Sequence, residues 1–489
     1  MEYAYTVEDS PWGRLGHGPV QVSFAGEETQ WPTVWRETIA NLGFPVSMNP
    51  FSGDTCGAHM DPESVDPVTK LRSYAASAYL APARGRKNLT IWTETLVEKV
   101  IFDRDDDGNP VATGVQYLQK NDNIPKIVQA SREVILSAGA IHSPKILELS
   151  GVGNPAILEP LGIDVVVANA HVGENLQNHL FVTSTCEVSK ETGFETLDGL
   201  LKGDEAAVAA AQEALMNGRG PLTGVNTAGS AQLPLPFSAS EEGKRNLEQL
   251  FQNTRTETEV TTSGFAKAHE EFIHSVLSSQ TEASALYSLF PGYMAFDSNG
   301  DLLPHPGGLG RFLTFAIYLA HPLSRGSVHI TSSSISSTSS STSSISTNES
   351  ADLEIDPNYL SHPADIEVLV RHLQVLENLK KTSPLSTHIF RDGNHISAKS
   401  ELDLSDLSSA RAYVRKHCQS AYHFTGTCAQ MSRELGGVVD AGCRVHGCVN
   451  LRVVDLSIVP IIPGCNTQAT AYGVAEHAAG IIRADISGR

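Results

Sequence analysis

Two small-residue turns near the C-terminus constrain this chain more than any other feature of its sequence. The first turn places His423 in the sequence HFTGT, and the second places Asn466 in the sequence GCNTQ. A glycine turn, GGVVD at 436–440, and a short apolar segment, LRVVDLS at 451–457, lie between them. An imidazole can take a proton from a hydroxyl within hydrogen-bond reach, whereas an amide can only donate or accept a hydrogen bond. The pattern therefore indicates one base and one group that orients an oxygen atom.

The order and spacing of these motifs resemble the glucose-methanol-choline (GMC) oxidoreductase family. The C-terminal signature of that family begins His-x-x-Gly-Thr, as in the HFTGT turn, and a methionine follows, here Met431, one position later than usual. A second family signature matches the segment GAIHSPKILELSGVG at 139–153, and VGENLQNH at 172–179 follows at the usual distance. Three ordered motifs at the right separations make the resemblance specific, and it extends over most of the chain.

The resemblance implies an FAD-dependent alcohol oxidase or dehydrogenase, in which a hydride passes from the substrate carbon to the flavin. His423 is then the catalytic base, and Asn466 takes the family's second active-site position, where it binds the alcohol oxygen. Asp455 and Thr467 correspond to family positions that touch the flavin, and Val97 corresponds to one on the adenine side. These five residues form the predicted site, with FAD as the cofactor and a small-molecule alcohol as the substrate.

The fold that the resemblance implies is α/β plus α+β. A discontinuous, FAD-linked Rossmann-like domain is expected from 85–165 and 436–489. A substrate domain with an antiparallel sheet and covering helices is expected from 1–84 and 166–435, with the active site between the two domains. All residues but two at 331–347 are Ser or Thr. Such a tract cannot bury enough apolar surface to offset its ordering entropy, so it is expected to be a mobile surface loop of the substrate domain.

The N-terminal part of the chain departs from the family pattern. Members of the family begin with a strand, a Gly-x-Gly-x-x-Gly turn and a helix whose N-terminus captures the FAD pyrophosphate. No such motif lies before residue 50, and the chain opens in what resembles the entry to the substrate domain. The sequence therefore predicts that the ADP-binding βαβ unit is missing, that the FAD domain is incomplete and that FAD binds poorly.

Local patterns give finer predictions on the FAD side. The β-branched and aromatic residues at 89–92 and 97–102 predict short strands, and 133–137 predicts a buried strand. Helical spacing follows, with Ser143 predicted as the N-cap and Pro144 at the first helical position.

The composition argues against several other classes of protein. A net charge of -20 is opposite in sign to what binding to nucleic acid phosphates requires. No segment reaches the ~20 apolar residues of a membrane span. The N-terminus lacks the pattern of a signal peptide, which favours a cytoplasmic location. The seven cysteines form no CxxC pair, and His269 and His274 are spaced so that they lie on different faces of a helix, so no metal site is predicted.

Three functions stay open from the sequence. The first is the FAD-dependent alcohol oxidase or dehydrogenase; the segment 66–80 resembles fungal members, some of which serve secondary metabolism. The second is a non-redox cyclase or lyase on the same fold, in which His423 is an acid and a base without net electron transfer. The third is a truncated, non-catalytic paralogue. The sequence does not distinguish substrates, electron acceptors or oligomeric states.

Overall fold

A computed structural model of the protein describes residues 18–24, 29–47, 53, 56–120, 122–224, 227–236, 241–258, 264–297, 299–306, 310–333, 352–390, 404 and 406–487. The strands in these residues are, in chain order, β1 (Ser23–Phe24), β2 (Gly57–His59), β3 (Pro62–Glu63), β4 (Thr95–Arg104), β5 (Pro110–Gln119), β6 (Asp122–Gln129), β7 (Val134–Leu136), β8 (Val152–Gly153), β9 (Val167–Ala168), β10 (Leu180–Glu187), β11 (Ser230–Leu233), β12 (Ala285–Phe290), β13 (Phe312–Leu319), β14 (Ser327–Ile330), β15 (Leu353–Asp356), β16 (Gln419–Ser420) and β17 (Leu451–Val453). The α-helices are α1 (Trp31–Asn41), α2 (Ala81–Ala83), α3 (Gly139–Leu149), α4 (Pro155–Leu158), α5 (Asp198–Leu201), α6 (Glu205–Met216), α7 (Glu241–Thr258), α8 (Gly264–Ser278), α9 (Pro363–Lys380), α10 (Leu385–His388), α11 (Leu407–His417) and α12 (Gln468–Ser487).

The largest sheet has five antiparallel strands in the order β11–β12–β13–β10–β16. Strand β13 runs FLTFAIYL, a nearly continuous apolar sequence that is typical of a strand buried on both faces. Leu313, Phe315 and Ile317 of β13 are fully buried in a core that includes Trp31 and Trp35 of α1 and the apolar residues of α9. The antiparallel sheet and covering helices that the sequence predicts are therefore confirmed.

A second hydrophobic core joins segments that are far apart in the sequence. It packs the antiparallel sheet β4–β5–β6 and the parallel pair β17–β7 against α3. Leu136 of β7, Leu147 of α3 and Val453 of β17 are buried in it. The strands predicted at 97–102 and 133–137 are confirmed as parts of β4 and β7. The predicted burial of 133–137 is only partly right, because Ile135 of β7 is 42% exposed. The domain boundaries themselves stay a prediction.

Helix α3 begins at Gly139, so the predicted start, with Ser143 as N-cap and Pro144 first, is wrong. Pro144 lies inside the helix, where it lacks the N–H that would bond to the carbonyl of Ala140. The hydroxyl of Thr427 donates to that carbonyl at 2.7 Å instead. The proline rule for helix starts fails here because a side chain distant in sequence supplies the missing donor.

The prediction of a strand at 89–92 is also wrong, because the chain is irregular there and β4 begins only at Thr95. Glu94 has a positive φ of 53°, which interrupts an extended backbone just before that strand. Trp92 places its ring 5.2 Å from the ring of Tyr117, measured between centroids, and stays half exposed. Residues of high strand propensity form a strand only where a partner strand is in register.

Most of the Ser/Thr-rich tract, at 334–347, lies outside the described residues, so the predicted loop stays a prediction. The antiparallel pair β14 and β15 flanks the tract on its two sides. Beyond that pair, the N–H of Thr331 donates to the carbonyl of Asp352 at 2.9 Å. The described residues that flank positions 334–351 are therefore hydrogen-bonded to each other.

Candidate active site

His423 and Asn466 line one cavity of about 230 Å³. Phe181 and Tyr318 are cross-strand neighbours on β10 and β13, and their rings stack with 5.0 Å between centroids. Phe296 meets the ring of Phe181 edge-on at 5.9 Å. The cavity therefore combines aromatic walls with a base and an amide. Its lining residues are Phe181, Phe296, Gly300, Tyr318, Gln419, Ser420, Ala421, Tyr422, His423 and Asn466.

The VGENLQNH segment fixes the backbone around His423. Gln177 and Thr425 form an antiparallel bridge in which each N–H donates to the other residue's carbonyl at 3.0 Å. The N–H of His423 donates to Asn178 Oδ1 at 2.8 Å, and the amide of Asn178 donates to Ser420 Oγ at 2.6 Å. Two motifs that are far apart in the sequence are thus held in one register.

The same segment holds the loop that leads to Asn466. Gln177 Nε2 donates to the carbonyl of Pro460 at 2.9 Å, and Gln177 Oε1 accepts from the N–H of Ile462 at 3.0 Å. His321 Nδ1 donates to the carbonyl of Ile462 at 2.9 Å. Asn466 itself is exposed on the cavity wall, so its amide is open to an oxygen atom of a substrate.

The two histidines nearest the cavity are neutral at neutral pH. Burial lowers the pKa of His423 below its ordinary value. Burial, followed by electrostatic repulsion from the protonated forms of His423 and His321, lowers the pKa of the neighbouring His179 to about 3. A neutral imidazole is the form that accepts a proton, so the electrostatics of the cavity suit a base at His423.

Asp455 lies at the N-terminus of α3 rather than in the cavity of His423. Its Oδ2 accepts from the N–H of Gly139 at 2.9 Å and from the hydroxyl of Ser143, and its Oδ1 accepts from the N–H of Ser457 at 2.8 Å. A carboxylate at this position satisfies a free backbone N–H and is favoured by the helix dipole. Asp455 therefore fixes the turn into α3, and its predicted contact with flavin stays a prediction.

The remaining predicted cofactor residues lie at two places. Thr467 is buried, and in the chain it follows Asn466 and directly precedes the first residue of α12. Val97 lies on β4 in a second cavity, of about 240 Å³, that does not include His423. The structure thus brings His423 and Asn466 together in one cavity, places Thr467 next to Asn466 in the chain and leaves Val97 in another cavity. The second cavity is lined by Leu96, Val97, Glu98, Ala138, His142, Lys145, Ile146 and Leu149.

The residues of the second cavity fit one end of an FAD molecule. Leu96 and Val97 offer apolar walls for a flat ring, and Glu98 and Lys145 are among the polar lining residues, a mixture that is typical of cofactor pockets. Close by in sequence, Gly139 has a φ of +81° and open space where a Cβ would lie. The backbone there can approach a cofactor closely, as glycine permits.

Sequence reasoning missed the roles of His179 and Thr427. His179 is the last residue of the VGENLQNH motif, and Thr427 is the last residue of the HFTGT motif. Their positions in these motifs were the sequence signal that could have indicated a role. Their partners are His423 and Ala140, respectively. Only the fold brings each pair together, because the partners are widely separated along the chain.

Neither a metal centre nor a membrane-spanning helix occurs in the described part of the chain. No group of three or more His, Cys, Asp or Glu side chains there could hold a metal ion. None of the described helices is long and apolar enough to cross a bilayer. The predicted cytoplasmic location is not tested by these findings.

His269, one of the two histidines considered as metal ligands from the sequence, is buried beside Arg325, whose Nη2 donates to His269 Nε2 at 2.7 Å.

The mixed α/β core, the antiparallel sheet and the cavity lined by His423 and Asn466 are features expected of an FAD-dependent oxidoreductase. Two family models described as "GMC oxidoreductase" match this sequence, one over residues 2–181 and the other over residues 322–475. The chain belongs to the GMC oxidoreductase family. The predicted family, fold class and FAD cofactor are thereby confirmed.

Curated relatives and solved structures agree with this assignment. "Dehydrogenase mpl7" of Monascus purpureus is 31% identical over 445 residues, which are 89% of this chain and 67% of that protein. "GMC oxidoreductase family protein Mala s 12" of Malassezia sympodialis is 30% identical over 467 residues, 93% of this chain and 66% of that protein. The chain thus spans about two thirds of the length of these curated relatives. The predicted resemblance to fungal members is confirmed.

Two solved structures share the fold over nearly the whole chain. A fungal aryl-alcohol oxidase has a TM-score of 0.79 at 26% identity, over 96% of this chain and 74% of that one. An FAD-dependent oxidoreductase from Chaetomium thermophilum has a TM-score of 0.80 at 23% identity, over 98% of this chain and 76% of that one.

Proposed function

We propose that this protein oxidises an alcohol by transfer of a hydride from the carbinol carbon to FAD, with His423 as the base. The observation that carries the proposal is the common cavity of His423 and Asn466, where a neutral imidazole and a neutral amide line one volume. A base within reach of the reacting hydroxyl contributes ~10²–10⁴-fold to a rate. The cavity supports a reaction in which a hydroxyl loses its proton.

The proton step follows from these two residues. The imidazole of His423 accepts the hydroxyl proton, and the amide N–H of Asn466 donates to the same oxygen while negative charge develops there. FAD, when bound, supplies the ring that accepts the hydride. The aromatic rings of Phe181 and Tyr318 shield one side of the oxygen from water and so strengthen both interactions.

The cofactor contacts are part of the same proposal. Val97 and its cavity hold the adenine end of FAD. Thr467, next to Asn466 in the sequence, contacts the flavin end. Asp455 orders the backbone at Gly139, and that backbone meets the cofactor. Each contact uses a residue that matches a cofactor position of the family.

The cavity walls indicate the substrate class. Phe181, Phe296 and Tyr318 present three aromatic rings beside the base, and such rings pack well on a flat apolar group. We therefore propose a primary alcohol attached to an aromatic or conjugated group. The similarity to a fungal aryl-alcohol oxidase supports this substrate class.

Anaerobic flavin reduction tests the proposal. The full chain loaded with FAD is mixed with an aryl carbinol, and the oxidised flavin absorbance is expected to bleach. The rate should rise with pH through an apparent pKa below 6.5, because only neutral His423 accepts a proton. His423→Ala should keep the flavin absorbance and slow the bleaching by ~10²–10⁴-fold.

The same measurement separates the alternatives. A substrate that is converted without bleaching would favour the non-redox cyclase or lyase, in which His423 moves protons only. A colourless protein whose flavin absorbance added FAD does not restore would favour the non-catalytic paralogue. Either result would overturn the alcohol oxidoreductase.

A further inference from the structure

His423, the proposed catalytic base, has a buried histidine as its direct partner. His179 Nδ1 lies 2.9 Å from His423 Nδ1, and the two rings stand at 90° to each other. His179 is 3% exposed, so water does not compete for this contact. One of the two Nδ1 atoms must carry the proton that joins them.

A third group decides which nitrogen carries that proton. His179 Nε2 lies 3.0 Å from the carbonyl oxygen of Ala320. A carbonyl oxygen only accepts, so His179 Nε2 must be the protonated nitrogen. Burial, followed by repulsion from the protonated forms of His423 and His321, lowers the pKa of His179 to about 3, so its ring holds a single proton at neutral pH. His179 Nδ1 is therefore an acceptor, and His423 Nδ1 is the donor.

The opposite arrangement places two lone pairs against each other. If His423 carried its proton on Nε2, its Nδ1 and that of His179 would face each other at 2.9 Å with no proton between them. Two buried acceptors without a donor are strongly unfavourable. The hydrogen-bond direction is therefore fixed by geometry, from His423 through His179 to Ala320.

We propose that His179 is a positioning residue that locks His423 in the tautomer protonated on Nδ1, and so leaves the lone pair of Nε2 free as the base. The other end of the chain is anchored in the five-stranded sheet. Ala320 follows β13 directly, and its N–H donates to the carbonyl of Ser284 at 3.0 Å. The carbonyl of His179 itself accepts from the N–H of Ala421 at 3.0 Å. The tautomer is thus set from the five-stranded sheet, which also carries Phe181 and Tyr318 of the cavity wall.

The consequence for catalysis rests on the proposed function, but the tautomer itself does not. Nitrogen-15 NMR of the histidine-labelled, FAD-loaded full chain distinguishes a protonated ring nitrogen from an unprotonated one. Comparison with His423→Gln identifies the two signals of His423. We expect Nδ1 protonated and Nε2 unprotonated at neutral pH. A His423 ring protonated on Nε2 in the unaltered protein would overturn the proposal.

Two substitutions of nearly equal size separate positioning from packing. His179→Asn places an amide oxygen near the position of Nδ1, so it keeps the acceptor for His423 and loses the bond to Ala320. His179→Gln places its terminal amide near the position of Nε2, so it keeps the bond to Ala320 and loses the acceptor. We expect the tautomer to be retained in His179→Asn and mixed in His179→Gln. Identical spectra for both variants would contradict a positioning role.

Flavin reduction gives the catalytic counterpart. In His179→Gln we expect the limiting rate to fall about fivefold to tenfold with KM unchanged, the shift that one buried hydrogen bond produces in a tautomer ratio. His179→Asn should restore most of that rate. If no alcohol reduces the flavin of the unaltered protein, the proposed function fails while the NMR result still decides the tautomer. If alcohols do reduce it and His179→Gln is as fast as the unaltered protein, the inference about His179 fails alone.

Discussion

The two sides of the candidate active site are held in different ways. On the substrate side, the backbone of His423 is bonded to Asn178 beside a sheet core in which Phe315 is fully buried. On the other side, formed by β7 and α12 and proposed to hold the flavin (the flavin side), Ile135 of β7 is 42% exposed, and Ala478 is the one buried residue among the described residues of α12. One side is a buried polar frame, and the other is a largely open face.

This difference indicates which part of the site the chain organises without help. A base held by buried hydrogen bonds keeps its geometry whether or not a ligand is present, which is the condition for effective catalysis. An open face of half-exposed apolar side chains gains its contacts only when another group covers it. FAD should therefore order the flavin side and leave the substrate side nearly unchanged.

The largest expected effect is loss of the base on the ordered side. His423→Ala should lower the rate of flavin reduction by ~10²–10⁴-fold, because proton removal then falls to water. The free energy of unfolding should fall by about 1–3 kcal/mol, because the buried Nδ1 of His179 loses its donor. Stopped-flow absorbance measures the rate, and His171→Ala, at an exposed histidine, is the matched control. Equal losses in both variants would remove His423 from the mechanism.

A second test compares two threonines of the HFTGT turn. Thr427→Val removes the hydroxyl that satisfies the carbonyl of Ala140, so the free energy of unfolding should fall by about 1–3 kcal/mol. Thr425 is equally buried, but its hydroxyl has no hydrogen-bond partner in the described part of the structure. Thr425→Val should therefore be neutral or stabilising. Urea unfolding of both variants measures the difference, and similar losses would show that the hydroxyl of Thr427 is not what supports α3.

The same turn shows how far the sequence could lead. The order of motifs was enough to predict that His423 and Asn466 share one site, because the spacing of the motifs is tied to the fold. It was not enough to predict the start of α3. Pro144 has no N–H to donate to the carbonyl of Ala140, and the donor that replaces it is a threonine far along the chain. The role of His179 was hidden for the same reason: its bond to His423 is a property of the assembled fold. Side-chain partners across distant segments are set by tertiary packing rather than by local pattern.

The junction between the two sides gives a pH-dependent prediction. His329 of β14 donates to Glu148 of α3 at 2.8 Å and to Glu174 at 3.1 Å. Burial alone would lower the pKa of His329, but the hydrogen bonds and charges of the two carboxylates raise it to about 9. The folded pKa lies above the unfolded value of about 6.5, so this stabilisation is fully present below that pH and is lost as the pH rises through about 9.

We therefore expect the free energy of unfolding to decline by about 1–2 kcal/mol between pH 6.5 and pH 9.5, after allowance for the partial exposure of Glu174. His329→Gln should remove this part of the decline, whereas His171→Gln should leave it in place. Urea unfolding at several pH values measures it. A decline of the same size in His329→Gln would place its origin elsewhere.

The smallest expected effect contrasts two valines of β4. Val97 is half-buried in the second cavity, whereas Val100 is 2% exposed in the core beneath it. Val97→Ala should change the free energy of unfolding by only about 0.5 kcal/mol but weaken FAD binding by about threefold to fivefold, because the half-buried side chain loses contact equivalent to about one buried CH₂, ~0.8 kcal/mol.

Val100→Ala should do the reverse. It creates a cavity in the core, so the free energy of unfolding should fall by about 1–3 kcal/mol, while the affinity for FAD stays unchanged. Fluorescence titration with FAD and urea unfolding, applied to both variants, measure the two quantities. If Val97→Ala leaves the affinity unchanged, the cavity at Val97 does not hold the adenine end, and the cofactor must be held at the flavin end, through Thr467 and the backbone at Gly139.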